Sequence, residues 1–204
     1  HAELSREGVV VSLSTVKRTL SREGMLRKRR PWKHTHQSGI RPLPETPGIL
    51  VEMDTVHLWE SRWSRTYVLT LIDCFSRWAY ACAAARLNSV TALRVVRRAR
   101  TVASFPFHCI QTDHGPEFSM HFTRRLLVQN IQHRHIRVRQ PNDNAHIERF
   151  NRTLQEELRT DLIHYRTNLP RLNHSLRDYL TYYNTERLHL GLGCQTPLQM
   201  IPRS

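Results

Sequence analysis

The sequence predicts an α/β fold in which helices flank a mixed sheet of five strands. Three strand-like segments follow one another after residue 48, and helical and strand-like segments then alternate to about residue 140. A meander of strands followed by helix–strand alternation is typical of an α/β layer arrangement. With 204 residues, 39% of them hydrophobic and 24% charged, the composition is that of a globular chain with one main domain and at most a small addition.

Each element is predicted from its hydrophobic period and from the turn residues that bound it. The predicted strands are Ile49–His57, Thr66–Ile72, Trp78–Ala85, Pro106–Thr112 and Gln132–Arg139. The predicted helices of this part are Ser89–Ala103, Glu117–Gln129, Asn144–Leu158 and Pro170–Tyr183. A hairpin turn joins the second and third strands, and we assign Asp73 a structural role there because Asp bonds the backbone of its own turn.

The chain divides by composition into four segments. Residues 1–37 are basic, residues 38–48 (SGIRPLPETPG) form a proline- and glycine-rich linker, residues 49–165 hold the sheet, and residues 166–204 form a helical tail. In the basic segment, residues 12–20 predict a short helix capped by Ser12 or Ser14.

That short helix resembles the recognition helix of a truncated helix-turn-helix, which binds in the major groove. It exposes Ser14, Lys17 and Arg18, and a basic run containing Arg29 and Arg30 follows it. The alternative is a solvated basic helix without a partner.

The charge of the chain favours a polyanionic partner. The sequence has 31 Lys and Arg against 17 Asp and Glu, a formal charge of +14, and only three of the basic residues are Lys. Arg grips phosphate in two places and stacks on bases, so this bias favours nucleic acid. A highly charged surface without a nucleic-acid partner is the alternative.

The cysteines and the apolar runs indicate a cytoplasmic protein. Cys74, Cys82, Cys109 and Cys194 have no framework spacing, and no segment predicts a membrane span or a signal peptide. We therefore expect a reducing location in the cytosol. The chain begins with His1 instead of Met, from which we expect a fragment or a truncated reading frame.

Three carboxylates stand where a buried sheet and its helices should be apolar. Asp54 interrupts the first strand, Asp113 follows the fourth, and Glu148 flanks the apolar stripe of a helix. Acids that converge without a metal repel and raise one another's pKa, and two Mg²⁺ ions would remove that penalty. Each acid alone is better explained as a strand-end, turn or cap residue; the combination favours a metal site.

The segments that carry these acids resemble the motifs of a known family. Met53–Thr55, Gln111–Phe118 (QTDHGPEF) and Pro141–Leu158 resemble the three acidic motifs of the retroviral-integrase-like core. They are more similar still to the motifs of DDE-class insertion-sequence transposases, and the tail Tyr183–His189 with Thr196 and Pro197 resembles the segment that follows that core. The resemblance covers residues 47 to 200, most of the chain.

The resemblance implies an RNase H-like fold and a DNA transposase or integrase. Asp54, Asp113 and Glu148 would then be the catalytic residues and the ligands of two Mg²⁺ ions, for which Mn²⁺ can substitute. The reaction would be DNA cleavage with water followed by strand transfer, both in-line attacks at phosphorus. The partners would be double-stranded DNA, as element ends and as target, and further copies of the chain in a homo-oligomer on that DNA.

Further DNA contacts are expected around the acids. The candidates are His114, Asn144, Arg149, Arg152, Gln155 and Arg159. His114 stands where the family usually has Asn, and Gln155 stands where it commonly has Lys or Arg. The 34 residues between Asp113 and Glu148 are one fewer than usual.

Two other functions are alternatives to a transposase or integrase. A decayed DNA-binding protein of the same fold would explain the two departures, and a plain RNase H-type nuclease would explain the fold and metals but not the tail.

We expect Glu117 at the start of a helix, near the positive end of its dipole. We expect His133 and His135 on a solvated strand face.

Overall fold

The computed structural model describes residues 1–26, 44–59, 65–137 and 141–202. The chain forms two compact units, His1–Arg41 and Pro42–Ser204. Part of the predicted linker, together with Arg29 and Arg30, lies outside the described residues. None of the described helices is long and apolar enough to cross a membrane.

The first unit contains two short helices, α1 (Ala2–Arg6) and α2 (Leu13–Arg22). Ser12, and not Ser14, caps α2, since its Oγ accepts a hydrogen bond of 3.1 Å from the amide of Thr15. An uncapped first turn would leave that amide without a partner. The side chains of Ser14, Lys17 and Arg18 are exposed on α2, as the sequence predicts.

The second unit is built on a five-stranded sheet in the order β3-β2-β1-β4-β5. Its strands are β1 (Val51–Trp59), β2 (Arg65–Asp73), β3 (Ala79–Ala84), β4 (Cys109–Thr112) and β5 (Gln132–His135). The meander β1-β2-β3 pairs antiparallel, whereas β4 pairs parallel with both β1 and β5. The mixed five-stranded sheet is confirmed, and β1 and β4 lie side by side at its centre.

The helices follow the predicted order with local differences. They are α3 (Ser89–Val102), α4 (Met120–Leu127), α5 (Ala145–Glu157), α6 (Arg159–His164) and α7 (Leu169–Thr185). The prediction of one helix from residue 117 is wrong: Pro116–Phe118 form a separate 3₁₀ turn, and the extended backbone of Ser119 (φ −62°, ψ 175°) divides it from α4. The prediction that β5 continues through Arg137 is also wrong, because that amide donates to Asp143 Oδ2 at 2.9 Å and leaves the strand direction.

The sheet separates two apolar cores. Leu69 and Leu71 of β2 face α3 and α4, whereas Val68 and Ile72 face α5, α6 and α7. Successive side chains of a strand point to opposite faces, so a shift of one position moves a residue from one core to the other. We call these the α3–α4 core and the α5–α7 core.

The free edge of β3 is covered by side-chain amides of α7. Asn184 accepts from the amide of Ala79 and donates to its carbonyl, both at 2.9 Å. Asn173 makes the same pair of hydrogen bonds with Ala83, at 2.9 and 3.1 Å. A paired edge resists association with other strands, so α7 completes the sheet as well as covering its face.

The turn between β2 and β3 confirms the structural role of Asp73. Its Oδ2 accepts from the amide and the hydroxyl of Ser76, each at 2.7 Å, and its Oδ1 accepts from the amide of Gly48 at 2.8 Å. The turn closes at Arg77, whose φ of 64° lies in the left-handed region.

Candidate active site and its surroundings

Asp54 lies on the central strand β1, on the sheet face that α5 covers. Its Oδ1 accepts a hydrogen bond of 2.7 Å from the amide of Thr55. Its Oδ2 accepts one of 2.8 Å from the side-chain amide of Asn151 on α5. The half-buried carboxylate is thereby held between its own strand and the helix that carries Glu148.

Asp113 follows β4, the parallel neighbour of β1, so both acids lie on adjoining central strands. Its Oδ1 accepts from the amide of Gly115 at 2.9 Å. Glu117 reaches the same place from the 3₁₀ turn; it is buried, and its Oε1 accepts from the Thr55 hydroxyl at 3.0 Å. A Cβ at Gly115 would lie 2.7 Å from Glu117 Oε2 and 3.1 Å from Asp113 Oδ1, so a side chain there would displace the Glu117 carboxylate.

Glu148 is exposed in the first turn of α5, and its charge reaches the other acids. Burial raises the pKa of Asp54, and the negative charges of Asp113, Glu117 and Glu148 raise that pKa further. The structure therefore brings the three predicted acids together at one end of the central strands. It adds Glu117 as a fourth member; we call these four residues the acid cluster.

The acid cluster has the donor chemistry of a magnesium site without a closed ligand set. Among the described residues, no three His, Cys, Asp or Glu side chains are arranged to hold a metal ion. Carboxylate oxygens are the ligands that Mg²⁺ prefers. The Oδ1 of Asn151, beside Asp54, is another oxygen donor: it is buried and has no hydrogen-bond partner among the described residues. A divalent cation would remove the repulsion that raises the Asp54 pKa, so the residues fit such an ion.

Two residues of this site were not predicted from sequence to belong to it. Asn151 stands three positions after Glu148, a helical spacing that places both on one face and could have identified it. Glu117 lies at the start of a helix, as expected, but the helix is the 3₁₀ turn Pro116–Phe118. This turn buries Glu117 and Phe118 together, which sequence did not predict.

The expectation of a solvated face for His133 is wrong. Its Nδ1 lies 2.7 Å from the Thr123 hydroxyl of α4, and its Nε2 lies 3.0 Å from the Thr112 hydroxyl of β4. Burial lowers the pKa of His133 to about 4, and the charge of His135 adds to this effect. The short strand β5 is covered on this side by α4, which sequence alternation alone does not show.

His135 also contacts other residues of the fold, and one of them is His114, the residue after Asp113. The Nδ1 of His135 lies 2.7 Å from the backbone carbonyl of Asp113. The ring of His114 stacks on that of His135 with centroids 4.6 Å apart. His114, where the family usually has Asn, therefore packs on a neighbour that itself contacts the backbone of the second acid.

A buried acid of β1 holds the start of α5. Glu52 accepts a hydrogen bond of 2.8 Å from the amide of Ile147 with its Oε2. The side chain of Asn144, the N-cap residue of α5, makes no capping hydrogen bond. Glu52, on a distant strand, therefore caps the helix in its place. Burial raises the pKa of Glu52 to about 7, against the lowering effect of the Ile147 amide.

The other predicted DNA contacts lie in several places. Arg152 and Arg159 are exposed, and exposed Gln155 donates to the Asn151 carbonyl at 3.0 Å. Asn144 is buried at the start of α5. Arg149 lines a cavity on another face of α5. The structure thus groups Arg152 and Gln155 with the acid-bearing face and separates Arg149 from it.

Comparison with known proteins identifies the family. Two family models, both described as the integrase core domain, match residues 44–141 and 129–197. The chain is 29% identical over 175 residues to the ORF3 protein of Spiroplasma virus SpV1-C74, which bears an integrase name; the match covers 74% of this chain and 47% of that protein. It is 34% identical over 89 residues to the transposase of insertion sequence IS904 from Lactococcus lactis, covering 43% of this chain and 35% of that one.

Solved structures show the same fold at low identity. The catalytic core domain of HTLV-2 integrase, solved in complex with magnesium, matches with a TM-score of 0.62 and 20% identity, over 78% of this chain and 99% of that one. A chain of the simian T-cell lymphotropic virus intasome matches with a TM-score of 0.69 and 21% identity, over 100% of this chain and 77% of that one. These likenesses confirm the RNase H-like, integrase-type arrangement.

The chain spans about half or less of the length of the curated relatives it matches. The two matched segments nevertheless run without a gap from residue 44 to residue 197 and contain the whole acid cluster. The chain belongs to the integrase core family of DDE integrases and transposases.

Proposed function

We propose that this protein is a DNA transposase or integrase that cleaves DNA strands and transfers them by in-line phosphoryl transfer. One observation carries the proposal. Asp54, Asp113 and Glu148, from β1, the end of β4 and α5, converge closely enough for the last two to raise the pKa of the first. Acids that repel one another, two of them half-buried, are unfavourable in a structural role and are expected at a site that binds a cation.

Asp54, Asp113 and Glu148 would hold two Mg²⁺ ions, and Mn²⁺ could replace them. When bound, the ions activate the attacking oxygen and stabilise the leaving oxygen of a phosphodiester. The chain's own residues fix the acids: Asn151 holds Oδ2 of Asp54, and the Gly115 amide holds Oδ1 of Asp113. Glu117 lies beside Gly115 and adds negative charge to the site.

Double-stranded DNA would be the substrate, both as element ends and as target. The formal charge of +14 supports a polyanionic partner. Arg152 and Arg159 are exposed on α5 and α6 and would neutralise backbone phosphates near the acids. Ser14, Lys17 and Arg18 of α2 would read or contact DNA from the first unit, together with Arg29 and Arg30.

The remaining expected contacts have local support. Gln155 shares the helical face of Asn151, and His114 follows Asp113 directly, so both would approach the DNA near the cleavage point. Two DNA ends need at least two active sites, so we propose a homo-oligomer assembled on DNA. DNA cleavage and strand transfer would take place at the bacterial nucleoid, in the cytoplasm. The convergence of all three acids disfavours the alternative of a decayed DNA-binding protein.

The test is metal-dependent cleavage of supercoiled plasmid. The purified chain is incubated with plasmid and either Mg²⁺ or Mn²⁺, beside Glu148→Gln and the matched control Glu186→Gln at the end of α7. We expect nicked or joined products with the wild type and with Glu186→Gln, none with Glu148→Gln, and none when the metal is chelated. Nicking that persists in Glu148→Gln, or an intact plasmid with all proteins, contradicts the proposal.

A further inference from the structure

A cavity of about 530 Å³ lies on the face of α5 that does not carry the acids. Three segments enclose it: α5, the end of the β2–β3 turn, and residues 187–191 after α7. The basic and imidazole side chains of its lining are Arg77, Arg149, Arg187, His146 and His189. No Asp or Glu is among its described lining residues. We call this cavity the arginine pocket.

Two buried nitrogens of the arginine pocket have no hydrogen-bond partner among the described residues. They are Nη1 of Arg77 and Nε2 of His189. Buried polar groups in folded proteins are nearly always hydrogen-bonded, and a guanidinium nitrogen can only donate. An unpaired, buried guanidinium N–H on a cavity wall therefore calls for an acceptor inside the cavity.

The remaining arginines differ in how far they are neutralised. Arg187 pairs with Glu157, from Nη2 to Oε1 at 2.7 Å. Arg149 is exposed and makes neither a hydrogen bond nor an ion pair with any described residue. Arg77 interacts electrostatically with Glu52, but that acid bonds the Ile147 amide and does not line the cavity. At least one full positive charge therefore faces the cavity.

His189 responds to this excess of positive charge. Burial and the charges of Arg187 and Arg77 together lower its pKa to about 4, against the raising effects of a Tyr183 backbone hydrogen bond and of Glu157. An anion in the cavity would act in the opposite direction and would supply the missing acceptor. The positive charge of the lining and the unpaired guanidinium N–H of Arg77 thus both indicate an anionic ligand.

We infer that the arginine pocket binds a phosphate group of the DNA backbone, at a site separate from the acid cluster. Guanidinium groups form paired hydrogen bonds with phosphate, and the formal charge of +14 favours the phosphates of a nucleic acid as the occupant. The apolar side of the lining, with Phe150, Leu188 and Leu190, is suited to the deoxyribose next to that phosphate. The inference rests on the proposed function, since it takes DNA as the ligand.

The location gives the pocket a consequence for the reaction. Arg149 directly follows Glu148 on α5, so a phosphate bound at Arg149 fixes the DNA relative to the helix that carries the third acid. A strand gripped on both faces of one rigid helix cannot slide without losing the phosphate contact. The pocket would therefore position DNA and take no part in bond breaking.

The experiment measures DNA affinity without chemistry. A fluorescently labelled duplex is titrated with protein in Ca²⁺, and the dissociation constant is followed against salt concentration. The variants are Arg149→Gln, Arg77→Gln and the double variant. The matched control is Arg97→Gln, an exposed arginine of α3 on the other side of the sheet. Arg149→Gln is the main variant because an exposed helical position tolerates Gln, whereas Arg77 lies in a left-handed turn.

We expect Arg149→Gln to weaken DNA binding about 10-fold and to reduce the slope of log affinity against log salt by about one. Arg97→Gln should change neither quantity. Equal effects of Arg149→Gln and Arg97→Gln overturn the inference, because the contribution would then be that of general charge.

Inorganic phosphate distinguishes a backbone phosphate from a free one. Phosphate should raise the melting temperature of the wild type, should do so less for the double variant, and should compete with the labelled duplex. If phosphate stabilises the wild type while DNA affinity is unchanged in the double variant, the pocket holds a small anion and the DNA assignment is overturned.

The two proposals fail separately. Loss of plasmid nicking with a pocket-dependent DNA affinity refutes the proposed chemistry and keeps the pocket. Normal nicking, together with a DNA affinity that the pocket variants leave unchanged, refutes the pocket and keeps the proposed chemistry.

Discussion

The two faces of the central sheet bury their residues in different ways. Towards α3 and α4, the central strands contribute mainly apolar side chains, such as Met53, Leu71 and Ile110. Towards α5, the same strands contribute Glu52 and Asp54 among apolar neighbours. The comparison indicates that one face mainly provides stability and that the other holds the proposed active site, and a shift of one residue along β1 separates them.

The polar face is stable because the carboxylates of its strand β1 have hydrogen-bond partners. Glu52 accepts from the Ile147 amide, Asp54 accepts from Asn151, and the hydroxyl of Thr70 donates to the Asp54 carbonyl at 3.2 Å. Each bond ties a strand of the sheet to α5 or to the neighbouring strand. Removing a partner leaves an unsatisfied group, so substitutions on this face should change the reaction or its pH dependence more than they change packing.

The largest effect is expected for Asp54→Asn. The proposed role of Asp54 predicts that metal-dependent plasmid nicking falls at least about 1,000-fold, because Asn cannot neutralise a cation. The melting temperature should not fall, since burial and three neighbouring acids already disfavour the Asp54 charge. Asp178→Asn, an exposed change on α7, is the matched control. Nicking by Asp54→Asn within 10-fold of the wild type, roughly a 1.4 kcal/mol effect, would remove Asp54 from the catalytic set.

The adjacent residue should show the opposite behaviour. Met53 is fully buried in the α3–α4 core, so Met53→Ala should lower the free energy of unfolding by about 2–5 kcal/mol in urea denaturation. The nicking rate per folded molecule should stay near that of the wild type. A rate loss as large as that of Asp54→Asn would show that the two faces do not separate stability from chemistry.

Glu52→Gln should remove a pH dependence of stability. The folded pKa of Glu52 is about 7 and its ordinary value is 4.5. The fold therefore favours the protonated form, and the stability that this acid contributes is present below pH 4.5 and is lost as the pH rises to about 7.

The loss amounts to at most about 3 kcal/mol, at 1.36 kcal/mol per pKa unit. Gln keeps an acceptor for the Ile147 amide but cannot ionise. Urea denaturation in the presence of a chelator, at about pH 5 and about pH 8, should show a smaller decline for Glu52→Gln than for the wild type. The same decline in both proteins would show that Glu52 is already charged in the folded state.

Much of the fold and the three acids could be predicted from sequence because their signals are local. Strand alternation places Asp54 and Met53 on different faces, and the helical stripe of α5 places Glu148 at its flank. The family motifs then supplied the roles. The structure confirms the mixed sheet and brings these acids together.

The residues that sequence did not predict depend on contacts between distant segments. Glu52 caps a helix that begins 93 residues later, and no local pattern connects an acid of β1 with the Ile147 amide. The contacts of Glu117 with Thr55 and of His135 with the Asp113 carbonyl were not predicted for the same reason: they depend on β1 and on the end of β4, not on neighbours in sequence. The arginine pocket likewise joins three separate segments.

The smallest effect that still distinguishes the two faces is expected for Asn151→Ala. This change removes the hydrogen bond of 2.8 Å to Oδ2 of Asp54, and Asp54 would then be free to turn away from its site. Residues that orient metal ligands typically contribute about 10–100-fold to activity or metal affinity. The nicking rate should fall by that factor, and a higher Mg²⁺ concentration should be needed for half of the maximal rate.

Asn173→Ala is the matched control, because it also removes a hydrogen-bonded, half-buried side-chain amide from a helix of the α5–α7 side. Asn173 bonds the backbone of Ala83 on the edge strand, far from Asp54 in the sheet order. It should lower stability and leave the Mg²⁺ dependence of the rate unchanged. A shifted Mg²⁺ dependence in Asn173→Ala would mean that any loosening of α7 or α5 disturbs the acids. A shift in Asn151→Ala alone identifies Asn151 as the residue that positions Asp54.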